Sequence, residues 1–161
     1  MTAQRFSAPW STRLSALTAV GTAAILGSAY GLVDNGVWAG GLALVAVWLA
    51  CLAGHIRGYS VDGDRLRIER LGYGHVLDLS TLQSAIVAPR LFRGALRVGN
   101  GGLFSFSGWF LHRSHGWFRA VATDSRDRCV LLILESGCWA VSPDDPRGFV
   151  DTVRRAAGLD E

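Results

Sequence analysis

Lysine is absent from this 161-residue chain: all 16 basic residues are arginine, set against 13 acids for a net charge of +3. Arg5, Arg13 and Arg57 against Asp34 leave the first 57 residues at +2, and 13 arginines against 12 acids leave the remainder at +1. So small and dispersed a surplus argues against the basic stripe of a nucleic-acid-binding protein, and no nucleic-acid partner is expected. Cysteine is also scarce. Cys51, Cys129 and Cys138 form no C-x-x-C pair and no His-paired zinc spacing, so neither a metal site nor a disulfide framework is expected. A turn at Ser136-Gly137 sets Glu135 opposite Cys138 and leaves Cys129 several pairs out of register, so these two read as reduced, packed thiols.

Charge is missing most completely between Arg13 and Arg57, where Asp34 is the one formally charged side chain. Leu14 to Val33 is a run of 20 uncharged residues, and Val37 to Ile56 is a second of equal length with Cys51 and His55 as its titratable groups. At 1.5 Å per residue each covers roughly 30 Å, the thickness of a bilayer's hydrocarbon core. The expectation is a transmembrane hairpin: a cytoplasmic segment 1–13, helices 14–33 and 37–56, and a tight turn at 34–36, with the lipid bilayer as partner. Arginines flank both outer ends and none lies in the turn, which places both termini in the cytoplasm. Trp10, Tyr30, Trp38 and Tyr59 fall near the span ends, whereas Trp48 lies outside any interfacial belt. Ala23, Gly27 and Gly31 on the first helix, and Ala46, Ala50 and Gly54 on the second, recur every four positions as a packing seam. Cleavage after Ala29 as a signal peptide, and two buried helices of a soluble core, are the rivals to this reading.

After Arg57 the pattern becomes that of short strands between turn residues. Arg65 to Glu69 alternates strictly, and His75 to Leu79 follows it after a Gly-containing turn. Further strands are expected at 84–88, 96–98, 109–112, 118–123, 130–134 and 138–141. Ser142-Pro143-Asp144-Asp145-Pro146 concentrates helix-start chemistry, and Phe149, Val150, Val153 and Ala157 then share one helix face before Gly158. An amphipathic helix covering the end of a small barrel is the expected close of residues 57–161.

Four strings carry a resemblance: Tyr59-Ser60-Val61-Asp62-Gly63-Asp64-Arg65-Leu66, Gly99-Asn100-Gly101-Gly102-Leu103-Phe104, Ala122-Thr123-Asp124, and Val141 to Pro146 before Phe149-Val150. Residues 58–157 resemble the bacterial pleckstrin-homology-like (PH) domains carried behind a membrane hairpin. The resemblance implies an all-β barrel of about seven antiparallel strands closed by one C-terminal helix. The resemblance says little of function, because the fold hosts unrelated binding roles; the expected hairpin and its arginine flanks imply a multi-pass protein of the inner (cytoplasmic) membrane.

Signals for chemistry are weak. The glycine-rich segment has Phe104 where G-x-G-x-x-G needs its last glycine, and no Lys-Ser/Thr follows it. A bend at a barrel corner is favoured there over a ligand loop. His112 and His115 lack further metal ligands, and the chain has no G-x-S-x-G elbow or paired carboxylates. No catalysis and no cofactor are therefore expected. Arg97, Asn100, Gly101, Gly102, Phe104, Trp109, Arg113, Trp117 and Arg119 form the candidate surface for a protein or peptide partner. Arg90, Arg93 and the aromatic residues among them extend it toward anionic lipid heads. The expected role is a membrane-anchored binding or scaffold module, with a structural subunit of a larger membrane assembly as the alternative.

Overall fold

The computed structural model describes residues 3–159. A short strand, β1 (Gln4–Ser7), precedes two apolar helices, α1 (Thr12–Asp34) and α2 (Trp38–Ala53). Then come β2 (Ile56–Asp62), β3 (Arg65–Arg70), β4 (Gly74–Asp78), a 3-10 turn at Leu79–Thr81, and β5 (Leu82–Val87). The chain continues through β6 (Leu96–Gly101), β7 (Phe106–His112), β8 (Gly116–Ala122), β9 (Val130–Leu134) and β10 (Gly137–Val141) to α3 (Pro146–Ala156).

The strands form two sheets, ordered β1-β2-β3-β4 and β5-β9-β10-β8-β7-β6. The expected closed barrel of about seven antiparallel strands is therefore corrected. Consecutive strands β4 and β5 lie in different sheets, the 3-10 turn forms the corner between them, and β1, β4, β5 and β6 remain as edges. Within the larger sheet β10 pairs parallel to β8, because the β9–β10 hairpin folds back between β5 and β8. Alternation along β3 buries Leu66 and Ile68 completely. The main core combines them with Ile56 and Tyr59 of β2, Val121, Leu132 and Trp139 of the larger sheet, and Phe149, Val150 and Val153 of α3. α3 starts where the Ser-Pro-Asp-Asp-Pro string places it, with Asp145 Oδ1 accepting from Gly148 N at 3.1 Å and Pro146 in the first turn.

The second expected span is shorter than its apolar run. α2 has 16 residues and ends at Ala53, with Gly54 as its C-cap, and Ile56 belongs instead to β2 and to the core. Among the described residues one helix, Thr12–Asp34, is long and apolar enough by itself to cross a membrane. β1 also changes the organisation: it pairs antiparallel with β2, so the helix pair is inserted between two neighbouring strands of one sheet.

The two helices pack side by side, but not along the expected seam. A Cβ on Gly41 would lie 2.6 Å from Val33 Cγ2 and 2.9 Å from Ala29 O, so the closest approach is there. A Cβ on Gly27 or Gly31 would meet nothing within 4 Å, and Ala23, Ala46 and Ala50 are exposed. A Cβ on Gly54 would lie 3.3 Å from Cys51 O of its own helix and 3.7 Å from Arg70 Nη1 of β3. A four-residue repeat defines a stripe on each helix, while the residues on the buried flank decide which way the stripe turns. The β9–β10 turn is likewise shifted by one residue: Gly137 pairs with Leu134 and Cys138 with Ile133, leaving Glu135-Ser136 as the turn.

Candidate functional site

Three of the strings that carried the resemblance converge on one buried hydrogen-bonded node. The hydroxyl of Tyr59 donates to Val121 O at 2.7 Å and accepts from Ser142 N at 3.1 Å. Ser142 Oγ in turn accepts from Thr123 N at 2.7 Å and Asp124 N at 3.1 Å, where the parallel strands β8 and β10 end side by side. The node reaches the start of α1 as well, since Thr123 Oγ1 donates to Pro9 O and Ser11 Oγ to Thr123 O. These residues hold the fold together, and none presents a free surface.

The glycine-rich segment is a bend that docks the domain onto the helices. Gly99 and Gly108 are cross-strand partners with φ of 139° and 138°. A Cβ on Gly108 would lie 2.5 Å from Val98 O, and one on Gly99 would lie 2.7 Å from Ser107 O, so neither strand has room for a side chain. Beyond this crossing, Asn100 Oδ1 accepts from Gly102 N at 3.2 Å and Leu103 N at 2.9 Å and shapes the loop. Thr18 of α1 then grips it: its hydroxyl donates to Gly102 O at 3.2 Å and accepts from Phe104 N at 3.0 Å. The Phe104 ring meets Trp48 of α2 edge-on, 5.7 Å between centroids. Gly102 and Phe104 are buried, and Arg97 Nη1 donates to Gly101 O at 3.3 Å, so this part of the expected ligand surface is occupied by the protein's own contacts. Thr18→Val keeps the volume but strands both backbone groups, at about 2 kcal/mol. The expected result is roughly 30-fold faster hydrogen exchange at the Phe104 amide, measured by mass spectrometry with the rest of the domain unchanged.

The open surface lies on β6, β7 and β8. Val98, Trp109 and Arg119 are lateral partners across these strands, and Trp139 of β10 continues the row. Leu96, Leu111 and Trp117 form a second row on the same face, two residues further along each strand. Toward the smaller sheet this face is core, ending at fully buried Val121. Away from it nothing covers the strands: Leu96 is 71% exposed, Val98 66%, Trp109 51% and Trp117 55%. The opposite face packs Phe110 and Phe118 beneath Leu91 and Phe92. Of the expected surface, Trp109, Trp117 and Arg119 therefore come together. Arg97 pairs laterally with Phe110 and belongs to the opposite face, and Arg113 sits in the β7–β8 turn.

An aromatic and cationic cluster borders this platform. The Arg119 guanidinium lies over the Trp139 ring at 4.9 Å, and His75 of β4 approaches the same ring at 5.2 Å. Arg70 donates to the Tyr73 hydroxyl at 2.7 Å. Burial, reinforced by the nearby Arg119 and Arg70, lowers the His75 pKa below the ordinary imidazole value. Sequence reasoning missed Leu96 and Val98 as surface residues, and it missed His75 and the buried Trp139 at their border. Alternation identified their strands, but which half of a sheet face stays uncovered depends on where the other sheet ends.

Comparison with known proteins places this architecture. The family model described as bacterial PH domain matches residues 57–157, from β2 through α3, leaving β1 and the helix pair outside the match. No curated protein and no solved structure matches the chain. Residues 57–157 make up more than half of its length, and the chain belongs to the bacterial PH domain family.

Proposed function

We propose that this chain is a membrane-anchored binding module that docks a protein partner at the cytoplasmic face of the inner membrane, as a strand added along β6. The observation that carries this reading is the edge position of β6 together with the exposed Leu96, Val98, Trp109 and Trp117 beside it. An uncovered edge offers backbone hydrogen bonds, and the adjoining apolar rows offer pockets for alternate side chains. Membership of the PH family points the same way, toward a binding or scaffold module.

The anchor rests on separate support. α1 has the length and composition to cross a membrane, and the outward faces of both helices carry Val20, Tyr30, Trp38, Leu42 and Val47 exposed. From Arg13 to Asp34 the helix rises about 32 Å, close to the hydrocarbon thickness. With Asp34 and Asn35 at the far headgroups, Arg13 lies at the near ones and Leu103-Phe104 just inside the lipid. Pairing of β1 with β2 supports return of the chain to the side it left. The flanking arginines favour the cytoplasm as that side. The 16-residue α2 reaches the same depth with its Val37 and Gly36 flank and local thinning of the bilayer.

The test places a photo-crosslinking amino acid at Val98 of the full-length protein in cells. One discrete adduct is expected, lost on Trp109→Arg, and absent when the probe stands at exposed Asp151 on α3. Equal adducts from Val98 and Asp151 would overturn the reading. An adduct that survives Trp109→Arg but is lost on Gly27→Leu would favour the alternative, a subunit of a membrane assembly held through the outward Ala23, Gly27 and Gly31 stripe.

A further inference from the structure

We propose that the cavity between the start of α1, the β5–β6 loop and the β8–β9 loop is a binding site for a phosphate group. The cavity measures about 390 Å³ and is lined by Arg13, Arg90, Arg93 and Arg126, with Ser125 and a single acid, Asp127. Four arginines thus share one cavity with one acid. Among the described residues none of the four forms an ion pair, while Asp124, in the same β8–β9 loop, is engaged by Arg128 at 3.2 Å. A comparable concavity on the smaller sheet is closer to balance, because three arginines, Arg5, Arg65 and Arg67, there meet two acids, Asp62 and Glu69, and Arg5 pairs with Glu69. Gathering four like charges around a single counter-charge is unfavourable, and an oxyanion relieves it.

Ser125 gives the cavity a second feature that charge does not explain. The residue is 6% exposed, and its hydroxyl has no hydrogen-bond partner among the described residues. A buried hydroxyl without a partner is costly, and a serine has three staggered positions from which to find one. The loops around it are held firmly. Arg90 has a φ of 63°, rare for a residue with a side chain, and its N–H donates to Arg126 O at 2.5 Å, clasping the two loops together. Asp124 Oδ1 accepts from Arg126 N at 2.9 Å and Ala88 N donates to Cys129 O at 2.8 Å, so the arginines stand on a preformed frame.

The chemistry of the lining selects phosphate. Several planar forks and one hydroxyl match a tetrahedral group with three or four oxygens better than a carboxylate with two. The same group occurs free in the cytoplasm and in phospholipid heads, and Arg13 adjoins the membrane-spanning part of α1. Only the lipid source rests on the membrane reading above; the phosphate chemistry does not.

Calorimetric titration of the full-length, delipidated protein in detergent tests this, one arm with inorganic phosphate and one with dihexanoyl phosphatidylglycerol. Saturable one-to-one binding is expected, weakened about tenfold or more by Arg93→Gln with Arg126→Gln and about threefold by Ser125→Ala, which changes no charge. Arg65→Gln with Arg67→Gln removes the same charge elsewhere and is expected to change nothing. Saturation by both ligands assigns the phosphate itself, and saturation by the lipid alone assigns a headgroup. Absence of saturation in both arms, or equal weakening by the Arg65 and Arg67 changes, overturns the proposal. If the double arginine variant loses its near-ultraviolet circular dichroism, Ser125→Ala decides alone, and unchanged affinity in it is then the overturning result.

Discussion

Gly108→Ala is expected to destabilise the protein by about 4 kcal/mol, the sum of a strained backbone and an overpacked contact. At φ 138° an L side chain is disfavoured whatever the space, and here there is none, since the new methyl would lie 2.5 Å from Val98 O and 2.9 Å from Gly99 Cα. Both neighbours are backbone, so no rotamer change relieves the collision. β6 has to move away from β7, and with it go the exposed rows of Leu96 and Val98 and the loop that docks on α1. Thermal unfolding in detergent should show a loss of roughly 10–20 °C. Gly116→Ala separates the two contributions: Gly116 also has positive φ, 67°, but a Cβ there meets nothing within 4 Å. That change is expected to cost about 1 kcal/mol. Equal effects from the two substitutions would show that the close crossing of β6 and β7 is not what holds this region.

Tyr59→Phe is expected to cost about 3 kcal/mol, although it removes one oxygen atom. The ring is completely buried, and its hydroxyl serves two backbone groups, Val121 O and Ser142 N, that no water reaches. Both are orphaned at once, each worth about 1–3 kcal/mol when left unpaired. Ser142→Ala releases Thr123 N and Asp124 N from the same node, so the two losses are expected to be less than additive.

The same tyrosine sets an alkaline limit. Burial pushes its pKa up to about 12 from an ordinary value near 10, and burial together with Asp124 and Asp127 pushes the Cys129 thiol up to about 12 from near 9. The unfolded chain therefore gives up these protons first, and above pH 9 it binds fewer protons than the native state. Stability is full below pH 9, falls as pH rises, and is lost across the interval to about pH 12, by roughly 3 kcal/mol for the tyrosine alone. Denaturant titrations between pH 8 and 11 should show this fall in the native protein and a shallower one in Tyr59→Phe. An unchanged slope would mean that the phenol is not buried neutral.

Much of the local structure could be read from residue patterns. The uncharged run after Arg13 specifies α1, being long, apolar and free of proline behind a Ser11 cap. Asp145 and Pro146 specify the start of α3, and the alternation of Arg65 to Glu69 specifies a strand with Leu66 and Ile68 inward. Membership of the PH family was legible too, from the strings around Tyr59, Thr123 and Ser142. What those strings do was not, since each looks like a turn until the fold brings them within hydrogen-bond reach. β1 escaped for a related reason. Gln4–Ser7 buries one residue, Phe6, and is a strand because β2, more than fifty positions later, supplies its hydrogen bonds.

Local order was thus encoded within reach of a few neighbouring side chains: helix starts, strand alternation, turn glycines and the apolar run. Tertiary structure alone decided that the sheets stay separate, that β8 and β10 run parallel, that the small-residue stripe of α1 turns outward, and that Arg13 and Arg126 line one cavity. The reason is physical. Propensity and periodicity act over one or two turns of chain, whereas contacts between distant segments depend on which surfaces remain uncovered once every element has packed.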